Sequence, residues 1–250
     1  MKTVFFTIAG DPTNLHYAKM MEASLKKFHP DIPLVIFGEK EVKETNDPGI
    51  FYRATPVFGR MLLEKYDLAV KVDADSIITG NLDHILKDET YDMGNVLNWN
   101  RVDQKMYNFP LTVWDVPIEQ YMNCGFVVMR SRQLVEHWLK LCYSDKFEHY
   151  RFREQDFMNI IFHYGNYNVK CFDWSNAWHG IVSKGEWLNF RLEGKELVLP
   201  PTDGYPTEKK VIKIIHMAGG QVPDKMNIKK LFKDDIAKYL TELTHEETKA

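Results

Sequence analysis

Two aspartates set two residues apart at the end of an apolar run, Lys71-Val72-Asp73-Ala74-Asp75, carry the sharpest chemical signal in this 250-residue chain. Residues i and i+2 of an extended chain project to the same side, so both carboxylates can converge on one cation. Hard divalent ions take oxygen ligands, and magnesium-type sites combine one or two carboxylates with the phosphates of a substrate. Open α/β sheets bind ligands at the carboxyl ends of their strands, which is where this pair falls. A bare D-x-D triplet also arises by chance in acid-rich loops. The strand leading into it is what distinguishes this one.

Three more segments hold residues of the right types. Asn123-Cys124-Gly125 leads into the apolar run Phe126 to Met129, a polar residue and a glycine where backbone is closely approached by a ligand. Arg153-Glu154-Gln155-Asp156-Phe157-Met158-Asn159 opens a helix with polar groups at its N-terminus. Ile214-Ile215-His216-Met217-Ala218-Gly219-Gly220 sets a histidine at the end of a buried strand, before a glycine-rich turn. Each alone has a plain structural reading: a strand-initiating turn, helix capping with solvated charges, and a satisfied surface histidine. Their shared order and separation make coincidence harder to sustain.

The elements that must position these groups are legible as hydrophobic patterns. Val4 to Ala9 is a continuous apolar run, as in a strand buried on both faces. Tyr17, Met20, Met21, Ser24, Leu25 and Phe28 recur at helical spacing, His29-Pro30 closes that helix, and Leu34 to Phe37 forms the next strand. This β-α-β opening predicts an α/β fold with a crossover sheet. Val57, Met61, Leu62, Leu63 and Tyr66 predict a helix, Leu68 to Val72 a strand, Gly125 to Met129 another, and Leu134 to Cys142 a helix. From about Glu154 to His163 a further helix turns Phe157, Ile160, Ile161 and Tyr164 inward. Leu188 to Leu192 and Leu197 to Leu199 flank Glu193-Gly194 as a hairpin. Val211 to Ile215 is a final buried strand, and residues 227–246 form an amphipathic C-terminal helix. The stretch from Asn98 to Ile118 has no clean period and is longer than an ordinary connection. Met217 to Asn227, with Gly219, Gly220 and Pro223, is composed like a flap over the site. With neither repeat nor linker, residues 1–250 read as a single domain.

Composition narrows the function. A 44% apolar content supports a sizeable core, and a formal net charge of -3 with 27% charged residues supplies no basic field for nucleic acid. Cys124, Cys142 and Cys171 show neither CxxC spacing nor clustering with histidines. They argue against a disulfide framework and a structural zinc site, and for a reducing, cytoplasmic setting. No apolar run approaches the roughly 18 residues of a transmembrane helix. Lys229, Lys230 and Lys233 beside Leu231 and Phe232 could meet an anionic membrane, but the neighbouring acids dilute that charge and favour docking on the domain. Trp114, Trp174, Trp178 and Trp187 could stack on sugars, the best placed being those in Asp173 to His179, although tryptophan is more often buried for its area.

Taken in order, the motifs resemble those of the retaining GT-A glycosyltransferases of the glycogenin and lipopolysaccharide galactosyltransferase family, over roughly residues 3–220. Gly59-Arg60-Met61 resembles that family's Ala/Gly-Arg-Met/Leu helix, Asp73-Ala74-Asp75 its D-x-D, Asn123-Cys124-Gly125 its N-x-G, Glu154 to Asn159 its D/E-Q-D-x-x-N, and His216 to Gly219 its H-x-x-G. The resemblance implies a GT-A fold, a mixed, mostly parallel sheet with helices on both faces. It implies a nucleotide-diphosphate sugar donor, of uridine type, and a carbohydrate or other hydroxyl acceptor. Asp73, Asp75 and His216 would hold Mn2+ or Mg2+, with Ala74 and Gly219 lining the donor and Arg60 on its diphosphate. Thr7, Ile8, Ala9 and Asp11 would hold the nucleoside, and Asn123, Glu154 and Gln155 would surround the sugar. In the catalytic segment Glu154-Gln155-Asp156, Gln155 would polarise and position, with Glu154 the nucleophile if a covalent intermediate forms. The family's lysine after H-x-x-G is replaced by Val222, leaving Lys225 as its substitute. A nucleotidyltransferase would want a glycine-rich, basic loop after the first strand, which Gly10-Asp11-Pro12-Thr13-Asn14 does not offer. A non-catalytic sugar- or cation-binding module stays open.

Overall fold

The computed structural model describes residues 1–97, 116, 120–146, 150, 152–179, 189–201, 206–217 and 226–245. The chain opens with β1 (Thr3–Ala9), α1 (Pro12–Phe28) and β2 (Leu34–Gly38), the β-α-β unit that the apolar runs predict. Asp11 starts α1 by accepting from the Asn14 amide at 2.9 Å, Pro12 fits the first turn, and Lys26 and Lys27 lie at the helix's negative end. Next comes α2 (Glu39–Glu44), which the sequence pattern does not announce because Val42 is its one apolar residue. The expected helix and strand follow as α3 (Ala54–Leu62) and β3 (Leu68–Val72), although α3 ends before Tyr66. The chain continues with β4 (Ser76–Ile78), α4 (Asp83–Leu86), β5 (Met93–Leu97), β6 (Met122–Met129), α5 (Arg132–Cys142) and α6 (Glu154–Tyr164). It ends with β7 (Val169–Phe172), β8 (Trp178–His179), β9 (Arg191–Glu193), β10 (Glu196–Leu199), β11 (Lys210–Val211), β12 (Ile214–His216), α7 (Ile228–Leu231) and α8 (Asp234–Thr244).

The main sheet has six strands in the order β2-β1-β3-β6-β5-β7. The β1–β2, β1–β3 and β5–β7 pairs are parallel, while β6 runs against both β3 and β5. This is the expected mixed, mostly parallel sheet. Helices cover both faces. Phe6, Phe58, Trp138 and Phe157 join β1, α3, α5 and α6 in one core, while α1 and α8 close the other face with Ala18, Met21, Leu25 and Leu240. On that second side lies a small sheet, β4-β12-β8, with His216 in register opposite Ser76. The predicted hairpin is β9–β10, turning at Gly194, whose φ of +63° lies in the left-handed region open to glycine.

Several expectations need correcting. The single strand expected over Val211 to Ile215 is two strands in different sheets: β11 pairs with β10, and β12 with β4 and β8. Between them the Ile212 amide bonds Leu197 O and the Lys213 amide bonds Ser175 O, so the chain changes partner there. The C-terminal helix is broken as well. Phe232 is extended and buried, and Asp234 and Asp235 start α8 afresh, as acids favour a helix N-terminus. With Ile228 and Phe232 buried, this segment docks on the domain. Tyr164 is 53% exposed, because Met158, Ile161 and Phe162 turn the buried stripe of α6 away from it. The irregular stretch Asn98 to Ile118 lies outside the described residues except for Val116, and residues 218–225 of the expected flap lie outside them too.

The strand that flanks the aspartates is tied to α1 by one hydroxyl. Ser24 Oγ, fully buried, accepts from the Ile78 amide at 3.0 Å and donates to Met21 O at 2.8 Å. Ser24→Ala should strand the Ile78 amide in the core and lower stability by about 1–3 kcal/mol. Urea denaturation checks this, and an unchanged midpoint would show that the bond carries no weight.

Candidate functional site

β3 is buried along its whole length and leaves the sheet at Val72, where the Asp73 amide bonds Gly125 O at 2.9 Å. The two strands that end in D-x-D and begin with N-x-G are thus locked at the carboxyl edge of β3. Ala74 is buried, Asp75 follows, and the chain re-enters order as β4. β12 then returns along β4, with the Met217 amide on Asp75 O at 2.9 Å. That return delivers His216 to the aspartates: its Nε2 stands 3.1 Å from Asp73 Oδ2 and 3.3 Å from Asp75 Oδ1. One potential ligand atom from each of the three residues lies within 4.8 Å of the others.

Gly125 is what lets His216 come this close. A Cβ at position 125 would lie 2.3 Å from both Cε1 and Nδ1 of the imidazole and 2.6 Å from Asn123 Oδ1. The sequence pattern marks this glycine as a place of close approach, and the group that approaches is His216. Asn123 Oδ1 accepts from the Gly125 amide at 2.5 Å, which shapes the turn.

A residue that the sequence reading left without a role sits at the centre. Lys71 is buried, and its ammonium donates to Asp73 Oδ1 and, at 2.6 Å, to Cys124 O. A lysine inside an otherwise apolar strand must be paired to be buried, and that was the available signal. Burial works against the Lys71 charge, but Asp73 outweighs it and raises its proton affinity. For Asp73, burial pushes the carboxyl up, yet Lys71 and then His216 hold it far below the usual carboxylate range. Burial lowers the His216 imidazole, but Asp75 and Asp73 override it and lift it to about 9. The two carboxylates therefore draw a proton onto the histidine, a monovalent stand-in for a cation between them. Two carboxylate oxygens and an imidazole nitrogen make a donor set that fits manganese or magnesium, with the nitrogen favouring manganese.

The helix of the third motif closes the site from one side. Arg153, at φ +48°, precedes α6 in the left-handed region and lies 4.1 Å over the Tyr52 ring. Strain of this kind concentrates where function fixes the backbone. Gln155 Oε1 accepts from the Cys124 amide at 2.9 Å. Glu154 accepts from the Thr55 amide at 3.1 Å and hydroxyl at 2.7 Å, which satisfies the start of α3. Burial pushes its carboxyl up to about 7 against the pull of Lys71, so it feels the charges of the aspartate cluster. Asp156 is fully buried, with its oxygens taken by Tyr121 Oη and the Phe152 amide, and braces α6 from behind.

Other expected site residues lie elsewhere. Arg60 is partly exposed and joins Glu64, Arg132 and Glu136 in an ion-pair cluster across α3 and α5. Thr7 and Ala9 are buried and Ile8 is partly so, which leaves the backbone after β1 and the exposed Asp11, occupied as the α1 cap, as that segment's accessible groups. Trp174 and Trp178 are buried, the latter against Phe190 at 4.8 Å, so neither offers a sugar platform. Asp173 is held by Ser175 and Lys210. Gly219, Lys225, Trp114 and Trp187 lie outside the described residues.

The fold is the GT-A fold of solved glycosyltransferases. The galactosyltransferase LgtC, solved with donor and acceptor sugar analogs, is 14% identical over 96% of this chain and 95% of its own, with a TM-score of 0.57. A glycosyltransferase involved in the glycosylation of the major capsid of PBCV-1 is 10% identical over 92% of this chain and 99% of its own, with a TM-score of 0.57. The bifunctional glycosyltransferase WbbM, in its apo form, is 15% identical with a TM-score of 0.54, and the match spans 92% of this chain and about half, 52%, of WbbM. No protein-family model and no curated protein sequence matches the chain.

Two outcomes follow from this geometry. Gly125→Ala should displace His216, weakening manganese binding by about tenfold or more, as loss of the group that holds a ligand does; titration followed by electron paramagnetic resonance measures this, and wild-type affinity would refute the close-approach argument. His216 holds its proton more tightly folded than at the ordinary 6.5, so its stabilisation of the metal-free protein is present below pH 6.5 and lost as pH rises to about 9. Melting temperatures across that window should fall more steeply for wild type than for His216→Asn. Parallel slopes would contradict it.

Proposed function

We propose that this protein is a metal-dependent glycosyltransferase that moves a sugar from a nucleotide-diphosphate donor, of uridine type, to an acceptor hydroxyl with retention of anomeric configuration. The observation that carries the reading is the convergence of Asp73, Asp75 and His216 at the carboxyl edge of β3, in a fold shared with glycosyltransferases. Asp73, Asp75 and His216 would hold a manganese ion, which when bound supplies Lewis-acid stabilisation to the leaving diphosphate. Among the described residues no helix is long and apolar enough to cross a membrane. The free thiols of Cys124, Cys142 and Cys171 support a cytoplasmic setting.

The chain's own residues supply positioning. Gln155 and Asn123, both held against the Cys124-Gly125 backbone, would frame the sugar beside the cluster. Fixing the anomeric carbon and acceptor hydroxyl in reach of one another removes much of the entropic barrier to transfer. Glu154, whose oxygens serve the Thr55 amide and hydroxyl, supports this frame and α3 together. Arg60 would meet the donor diphosphate, and Lys225, after β12, is the candidate cation for the distal phosphate where Val222 stands in place of the family's lysine.

A panel of nucleotide-diphosphate sugars, assayed for donor hydrolysis and transfer with and without manganese, tests the reading. Uridine donors should be turned over with manganese, the product's anomeric configuration by proton NMR should match the donor's, and Asp75→Asn should cut the rate by about 100-fold or more. No turnover of any donor by the wild type would overturn the assignment, and an inverted product would remove retention from it.

A further inference from the structure

The aspartate cluster contains one ionised group that a three-ligand description leaves unexplained. Lys71 lies two residues before Asp73 on the same side of β3, and its ammonium donates to Asp73 Oδ1 and to the Cys124 carbonyl at 2.6 Å. Asp73 Oδ2 is the oxygen turned to His216, at 3.1 Å. Cys124 is held on its other side as well, its amide donating to Gln155 Oε1 at 2.9 Å. We propose that Lys71 is a positioning residue of the metal centre, holding one Asp73 oxygen aside so that only the other faces His216 and Asp75, and adding a fixed positive charge to the centre.

The charge matters because two carboxylates would cancel a divalent ion. A departing diphosphate would then meet a neutral centre. A buried ammonium on Asp73 leaves the centre net positive, and in a water-poor setting such charge acts strongly on developing negative charge. The same ammonium repels a metal ion and occupies an oxygen the ion could otherwise use. Lys71 is therefore expected to sacrifice some metal affinity for transfer rate. A lysine that merely filled the core would support both together.

This inference rests on the glycosyl-transfer reading, and one set of variants separates the two. Lys71→Met keeps the unbranched stem, one atom shorter, and removes the charge, while Lys71→Arg keeps the charge. Manganese binding by electron paramagnetic resonance, melting temperature, and kcat and KM for a uridine-diphosphate sugar are measured for both variants and for wild type. The expected result is that Lys71→Met binds manganese as tightly as wild type or tighter and keeps its fold, with kcat lower by on the order of 100-fold and KM little changed. Lys71→Arg should recover part of kcat. An unchanged kcat in Lys71→Met would overturn the proposal. So would manganese affinity and melting temperature falling together in Lys71→Met, or Lys71→Arg no faster than Lys71→Met. If wild type binds no manganese and transfers no sugar, the parent reading fails first, and this inference with it.

Discussion

Two carboxylates brought together at the end of a buried strand repel one another, and the structure around them is organised to offset that repulsion. Lys71 answers Asp73 from inside the strand, and His216 answers both aspartates from a strand more than a hundred residues later. Each partner depends on a strand from elsewhere in the chain. The lysine needs β6 alongside to give its ammonium a second acceptor, and the histidine needs β12 to run back along β4. The sheet order, with β6 inserted antiparallel beside β3 and a separate small sheet for the return, meets both needs.

Much of this was legible as pattern. β1, α1, β2 and β3 are announced by continuous apolar runs or clean helical spacing, and β1, α1 and β3 are buried on a long face. The elements missed are those whose order comes from partners. β4 and β8 are too short to show a period, α2 has a single apolar residue, and the break between β11 and β12 depends on which backbone each amide finds. The interruption at Phe232 was hidden because Ile228, Phe232, Ile236 and Leu240 keep apolar residues at intervals of four through the bend.

At the site, residue types indicated the chemistry better than they indicated roles. The D-x-D pair and His216 meet as the order of motifs implied. Gln155 and Asn123 lie beside them but are bound to backbone, and Asp156 is turned inward. Arg60 has an ion-pair partner, Glu136 on α5, that no local window contains. Lys71 was overlooked for a related reason: a charge within an apolar strand reads as an interruption until its two acceptors are seen.

The place of Cys124 between two side chains has a genetic consequence. Its carbonyl is held by Lys71 and its amide by Gln155, so the carboxylate cluster and the start of α6 are joined through the two peptide units that flank one α-carbon. Changes at Lys71 and Gln155 are therefore coupled, and the effect of a double substitution will not be the sum of the singles. Among diverging copies of this gene, the two positions are expected to drift together or not at all.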